Sequence, residues 1–503
     1  MKFWRKYHKW GGIILSFFLL LFSISGIVLN HRKQVSSVDI SRQYLTSSFQ
    51  YDNWNNAALK GSIRLDSTQT LFYGNVGCWI NTNKTNEWND FNTGFPKGID
   101  NRKVSKVIRT KNGRLFAGTL FGLYEYKSES WSPIKLEIEH PRISDLIEVN
   151  GKLTILTRSE LGQLDLINDS VVFNILPSPE GYKNTTSLFK TIWILHSGEI
   201  LGITGKILVD IIAGIFIFLI ITGIIWFASP SLIKRARKKL LAAKRKKQLF
   251  RFSVKWHNKI GYYAIIFLIF TTFTGIFLRP PLLIAIANSE AKSIPFTVLD
   301  SPNAWYDQLR AIRYNRQYNV YLVSSSKGMY ALTNNFEQIV KIPNQPPVSV
   351  MGINVFEEQK NNNYLIGSFS GLYLWNPFTS SCINYVTKQA HIPQVGMSRP
   401  IGVHMATGYH QLEHNEVYFD YNQGAVSLNR KSSFGTMPNK IKTASPLSIW
   451  NLALEVHTGR IFQDLIGAFY ILIVPLTGIT TILLLLSGLW IYWKKYKKQT
   501  SKI

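Results

Sequence analysis

Cysteine is nearly absent from this 503-residue chain, which holds only Cys78 and Cys382. Two residues make no disulfide framework, although an oxidising compartment would permit them to pair. No C-x-x-C pair, zinc-ligand pattern or catalytic thiol context occurs. Also missing are a phosphate-binding glycine loop, a dinucleotide fingerprint, a nucleophile elbow and a paired-acid motif in a credible setting, which sets aside nucleotide-driven and serine-hydrolase chemistry. Acids are scarce as well: 29 Asp and Glu face 57 Lys and Arg, for a net charge of +28. A balance so basic raises nucleic acid as a partner only if the cations share a binding face.

Their positions exclude that. Four runs with little or no charge, Gly11 to Asn30, Ile207 to Phe227, Ile260 to Leu278 and Leu465 to Trp493, are long enough to cross a bilayer core. Four cations precede the first run, twelve lie between Lys234 and Lys259, and five follow the last, with no acid in any of these segments. Twenty-one positive charges are thus accounted for, leaving +7 for the rest of the chain. This is the positive-inside pattern of a membrane protein, not a nucleic-acid patch. The first run is too long for a signal-peptide core and leads into Leu29-Asn30-His31-Arg32, so it is expected to stay.

The chain repeats itself. His8 and His257 are each followed by Gly at +4 (Gly12, Gly261) and by a small residue and Gly at +17 and +18 (Ser25-Gly26, Thr274-Gly275). Leu195-His196-Ser197-Gly198 precedes the second run and Val456-His457-Thr458-Gly459 the fourth, and those runs end in Thr222-Gly223 and Ser487-Gly488. Each half crosses the membrane twice, so the halves are parallel repeats. A four-helix bundle follows, in which Gly26, Gly214, Gly223, Gly275 and Gly488 allow close packing or room for a flat ligand.

The expected layout is a transmembrane helix at 1–31, a periplasmic β segment at 32–195, a helix at 196–230 and a basic cytoplasmic loop at 231–256. A helix at 257–279, a second β segment at 280–455, a helix at 456–495 and a cytoplasmic tail at 496–503 complete it. Both termini are then cytoplasmic, in a multi-pass protein of a bacterial inner membrane. Within the β segments, glycines precede short apolar runs at Gly77, Gly122, Gly162, Gly328, Gly371 and Gly424. A period near forty to fifty residues suits propeller blades, three per segment, forming one joint propeller or two smaller β domains.

Of the ten histidines, four are arranged in symmetric pairs. His8 with His257 would meet at the cytoplasmic ends, His196 with His457 at the periplasmic ends. Two facing imidazoles suit the axial positions of a haem iron, so two haems are expected. Without a C-x-x-C-H attachment motif these would be b-type. His31, whose counterpart is Pro280, is a further periplasmic candidate, beside Arg32. Arg279, Arg460, Arg32 and Lys259 could pair with propionates. His404, His410 and His414 have loose metal-site spacing, while His140 and His391 carry no pattern.

Trp4-Arg5-Lys6-Tyr7-His8-Lys9-Trp10-Gly11-Gly12, the two His-small-Gly stretches, Lys255-Trp256-His257 and Leu278-Arg279-Pro280-Pro281 together resemble the PepSY-associated transmembrane family. That family includes iron-regulated inner-membrane proteins and ferric-siderophore reductases that carry haem. The resemblance covers the membrane parts, about a third of the chain. It implies a haem oxidoreductase that passes electrons to a periplasmic acceptor such as a ferric siderophore. With no room for a cytoplasmic nucleotide domain, the donor would be a membrane quinol or a redox protein. The competing expectation is a non-enzymatic, membrane-anchored binding or sensory protein.

Overall fold

A computed structural model describes the chain apart from residues 1, 83–84, 237–239, 350, 380, 393–400, 413–414, 430–433 and 501–503. It divides into a helical unit (1–35, 184–301, 449–503) and a β unit (36–183, 302–448).

The helical unit holds four helices long and apolar enough to span a membrane, over Lys2–Asn30, Glu199–Ala236, Lys244–Ile276 and Arg460–Lys494. Six helices matter for the argument: α1 (Lys2–Asn30), α2 (Leu188–Ser197), α3 (Gly202–Ala236), α4 (Leu240–Ile276), α5 (Ile449–His457) and α6 (Ile473–Thr500). α1 packs against α3 and α6, and α4 packs against the same two. α2 rests on α4, and α5 on α1. Up to residues 195 and 455, the short helices α2 and α5 fall in stretches expected to be β. α2 ends one residue past His196 and α5 ends at His457, and two residues after each histidine stands a glycine in the left-handed region, Gly198 (φ 76°) or Gly459 (φ 75°). That conformation is open to glycine without a Cβ penalty, and it turns the chain from the short helix toward the long one.

The expected basic loop at 231–256 is largely helix instead. α3 runs on to Ala236 and α4 begins at Leu240, because Lys, Arg, Ala and Leu are strong helix formers that need no apolar face at a polar boundary. At the other end, α6 starts later than the apolar run beginning at Leu465. Gly467 (φ 57°) opens a 3-10 segment, Gly467–Leu472, that delays it.

Among the described residues of the β unit, six antiparallel sheets follow in order, at 59–90, 104–134, 143–174, 309–341, 353–384 and 406–427. Five have four strands and the sixth has three. Five of the six glycines singled out from the sequence lie at the start of, or within, the third strand of their sheet, and Gly122 immediately precedes its third strand. Their spacing therefore registers one sheet per unit. The first strands are β1 (Leu59–Arg64), β2 (Val104–Arg109), β3 (Ile143–Val149), β4 (Leu309–Asn315), β5 (Ile353–Glu358) and β6 (Ala406–Leu412). Each touches the next in order, and β6 touches β1.

A separate apolar cluster fills each junction. Trp79 and Trp54 meet Phe419 and Met437 between the first and sixth sheets, and Leu156 and Leu161 meet Trp305 and Tyr321 between the third and fourth. Both of these clusters join the two β segments, so the segments share one core rather than forming two domains. A sheet of three or four strands has two apolar faces, and only neighbours on both sides cover them. Cys78 and Cys382 lie in different clusters and both are free, so the permitted disulfide is not formed.

Candidate functional site

The repeat places its histidines in two pairs. The His8 and His257 rings are 6.3 Å apart, centre to centre, with planes at 87°. The His196 and His457 rings are 6.0 Å apart at 52°.

Every one of the four rings is held in the same way by a neighbouring helix. His8 Nδ1 lies 3.1 Å from the Leu484 carbonyl and 2.9 Å from Ser487 Oγ on α6. His196 Nδ1 lies 3.0 Å from the Thr271 carbonyl and 3.2 Å from Thr274 Oγ1 on α4. His457 Nδ1 lies 3.1 Å from the Phe22 carbonyl and 3.0 Å from Ser25 Oγ on α1. His257 Nδ1 lies 3.0 Å from Thr222 Oγ1 on α3. Each of these hydroxyls donates its own proton back along its helix: Ser25 to Leu21, Thr222 to Phe218, Thr274 to Phe270 and Ser487 to Leu484. A hydroxyl so engaged offers Nδ1 a lone pair, as a carbonyl does. Nδ1 therefore carries the proton in all four rings, and each Nε2 keeps a free lone pair.

The glycine after each hydroxyl makes room for the ring. A Cβ on Gly275 would stand 2.8 Å from His196 Cε1, and one on Gly488 2.9 Å from His8 Cε1. For Gly26 against His457 and Gly223 against His257 the distances are 3.3 and 3.4 Å. Helix packing or space for a ligand were the expectations for these glycines, and they seat the histidines. Gly214, in contrast, has open space beside it. The signal was available in the sequence as four Ser/Thr-Gly pairs, but which histidine each pair serves depends on which helices are neighbours.

A neutral, Nδ1-protonated imidazole with a second group fixing its orientation is the form in which histidine binds a metal. Two imidazoles ligating one iron from opposite sides put their ring centres roughly 6 Å apart, given metal–nitrogen bonds near 2 Å. Both pairs meet that spacing, so the residues fit haem. Aromatic rings flank the pairs, with Trp226 5.8 Å from His257 and Phe22 5.8 Å from His457.

The remaining candidates are placed as follows. His31 is turned to Asp210, with Nε2 2.6 Å from Oδ2, and Asn30 donates to the other carboxylate oxygen at 3.0 Å. It is engaged by Asp210 and does not join the His196–His457 pair. Arg460 is held by Glu455, Arg32 stacks 3.8 Å over the Trp450 ring, and Lys259 lies over Trp256. Arg279 approaches the Tyr470 ring, and its Nε is buried without a hydrogen-bond partner. His410 is a core residue of the β unit, accepting or donating at Ser62 Oγ (2.7 Å) against the Phe72 ring, while His404 faces the Tyr418 hydroxyl. These two therefore turn to different partners. His414 lies outside the described residues. Among the described residues no group of three or more His, Cys, Asp and Glu is arranged to hold a metal. His140 sits beside Glu139 and Tyr306, and His391 beside Tyr373.

Similarity to known proteins adds a family. The chain resembles solved extracellular domains from B. thetaiotaomicron, one of a one-component system (11% identity, 73% of this chain and 32% of the other, TM-score 0.36) and one of a hybrid two-component system (9%, 79%, 36%, TM-score 0.36). It spans about a third of the length of those proteins. No curated protein matches. The model of the PepSY-associated TM region matches residues 1–229 and 168–495. By these matches, which take in all four apolar helices and all four paired histidines, the chain belongs to the PepSY-associated transmembrane family.

Proposed function

We propose that this protein is a di-haem membrane oxidoreductase that passes electrons across the bilayer to an acceptor on the side of its β unit. The observation that carries the reading is the pair of pairs: two sets of facing imidazoles near 6 Å, every one with Nδ1 committed to the protein and Nε2 free. His8 and His257 would hold one haem, and His196 and His457 the other. Haem bound there supplies reversible one-electron chemistry, and the lack of a C-x-x-C-H motif makes it b-type.

The chain's own residues supply orientation and setting. Carbonyl and hydroxyl acceptors from α1, α3, α4 and α6 lock the rings and raise their basicity as ligands. Arg279, with its orphaned Nε, suits a propionate near the outer pair. Arg460, Arg32 and Lys259 already have partners and are not needed for that role. In this reading the four long helices form a bundle of two parallel repeats, the basic segments are cytoplasmic, and the six sheets form a propeller-like ring outside. A quinol or a redox protein would be the electron donor. A ferric chelate suits the acceptor role, since reduction weakens the hold of an Fe(III)-selective ligand.

A reduced-minus-oxidised spectrum of the purified protein tests this reading. Low-spin b-type bands from two haems per chain are expected, and His196→Ala with His457→Ala should remove one haem and leave the other. A protein from haem-replete cells with no haem bands would end the proposal. Loss of both haems, or of neither, would overturn the pairing.

A further inference from the structure

Asp210 is the one charged residue in the four apolar runs of the sequence. It is the fourth residue of the run from Ile207 to Phe227, about 5 Å below the end of that run. A carboxylate at such a depth is costly, and residues of this kind mark proton paths and ligand sites. Neither Asp210 nor His31 has a counterpart in the second half, where Pro475 and Pro280 stand, so packing common to both halves does not account for them.

The pair fixes the orientation of one ring. His31 Nε2 donates to Asp210 Oδ2 at 2.6 Å and Asn30 donates to Oδ1 at 3.0 Å, which engages both carboxylate oxygens. With a proton committed at Nε2, the neutral ring presents its lone pair at Nδ1. Among the described residues Nδ1 has no hydrogen-bond partner. This is the reverse of the four paired histidines, in which Nδ1 is held and Nε2 is free. A carboxylate behind one nitrogen and an open lone pair on the other is the arrangement in which imidazole serves as a general base.

The ring is within reach of the bilayer. His31 and Asp210 keep 28% and 18% of their side-chain surface open, and Ile207, Leu208 and Ile211, which flank Asp210 on α3, are exposed along a stretch that lipid covers. The pair also lies near His196 and His457. Gly198, two residues past His196, is seated on α3 against Gly205 and Val209, and Val209 is the neighbour of Asp210. His31 follows Ser25, whose hydroxyl accepts from His457, by roughly 9 Å along α1.

We infer that His31 and Asp210 form the head-group site of a membrane quinol, His31 Nδ1 taking a proton from a quinol hydroxyl and Asp210 positioning the ring. A quinol suits the site because it arrives through lipid and carries a hydroxyl donor on an apolar body. Its oxidation releases two electrons and two protons. One O–H bond breaks as an N–H bond forms at Nδ1, giving an imidazolium that Asp210 balances. That proton and the one from the second hydroxyl pass to water, and a quinone leaves. The electrons go to two ferric haem irons, one each, which are the oxidants that the redox reading supplies. The site rests on that reading and deepens it, by setting the entry of electrons beside the outer pair.

Photolabelling tests the site whatever the haem content. The probes are azido derivatives of a decyl benzoquinone and a decyl naphthoquinone, added to the full chain in nanodiscs of phosphatidylethanolamine and phosphatidylglycerol. Label from at least one is expected to concentrate on residues 28–33 and 206–211 and to fall fivefold or more with an excess of the unmodified decyl quinol. In the haem-loaded protein, reduction by the decyl quinol should slow tenfold or more in His31→Gln, whose amide accepts a hydrogen bond but no proton, and by a smaller factor in Asp210→Asn. Dithionite should still reduce both variants fully, and Glu199→Gln, at the head of the same span, should behave as wild type. Thermal unfolding shows that each variant is folded, and if His31→Gln is not, Asp210→Asn decides. Label spread evenly over the lipid-facing helices, or quinol-driven reduction as fast in both variants as in wild type, overturns the inference and leaves the pair a tie between α1 and α3. If the protein shows no haem bands, the redox reading fails and the labelling alone decides the site.

Discussion

The His196 imidazole occupies the space where a side chain on Gly275 would be: a Cβ there would lie 2.8 Å from Cε1 and 3.3 Å from Nδ1. The glycine and the histidine belong to different helices, so the seat of one proposed ligand is set by a residue that makes no polar contact with it.

Gly275→Ala should therefore displace His196 by several tenths of an ångström and cost most of the outer haem, whereas Gly26→Ala, with 3.3 Å to His457 Cε1, should cost less. The same ordering is expected at the inner pair, with Gly488→Ala (2.9 Å) more damaging than Gly223→Ala (3.4 Å). Haem content per chain, from pyridine-haemochrome absorbance, measures it. Equal retention in all four variants would contradict the seating role.

Removing a hydroxyl that accepts from Nδ1 should loosen a ligand without removing it. For Thr222→Val, where the hydroxyl is 3.0 Å from His257 Nδ1, retention of the inner haem is expected to fall about tenfold, at the lower end of what outer-shell partners contribute. Transfer of haem to an excess of an acceptor protein gives the rate to compare with wild type.

His31 and Asp210 predict a different outcome. Both lack a counterpart in the second half: His31 corresponds to Pro280, and Asp210, thirteen residues before Gly223, to Pro475, thirteen before Gly488. His31→Gln and Asp210→Asn should each retain both haems. Either change leaves one member of a part-buried pair unmatched, a loss of about 1–2 kcal/mol in stability. Spectra and thermal unfolding of the same samples separate the two effects, and loss of the outer haem in His31→Gln would make His31 a ligand after all.

Acid should weaken the β unit through His410. Its burial holds the imidazole down to about 4, against 6.5 in the unfolded chain. Between those values the unfolded chain binds a proton that the folded one refuses, so stability is complete above pH 6.5 and falls as the pH drops toward 4. The loss is at most about 3 kcal/mol, and His410→Gln should flatten that slope in thermal unfolding between pH 7 and 4.5.

Topology can be checked with a reporter that fluoresces only in the cytoplasm. Fused after Lys246, in the basic stretch, it should be bright. Fused after Ser159, in the first β segment, it should be dark. The reverse pattern would place the β unit inside the cell and remove an external acceptor from consideration.

The sequence by itself determined the features that depend on local pattern. Uninterrupted apolar runs specify four membrane-length helices, because backbone in lipid has no other way to satisfy its hydrogen bonds. The six glycines specify six sheets, because five of them have positive φ at the turn into the third strand, a conformation that favours glycine. The internal repeat specified which histidines correspond.

Only the tertiary structure decided what depends on neighbours far apart in the chain. Short helices lead up to His196 and His457 through 188–195 and 449–455, where β structure was expected, since segments of ten and nine residues become helix here by packing on α4 or α1 rather than by their own propensity. His31 turns to Asp210, because α1 and α3 lie side by side and ionisable groups at membrane depth seek each other. Each Ser/Thr-Gly pair serves a histidine on another helix. Such partnerships are fixed by packing across the whole chain, and no local spacing encodes them.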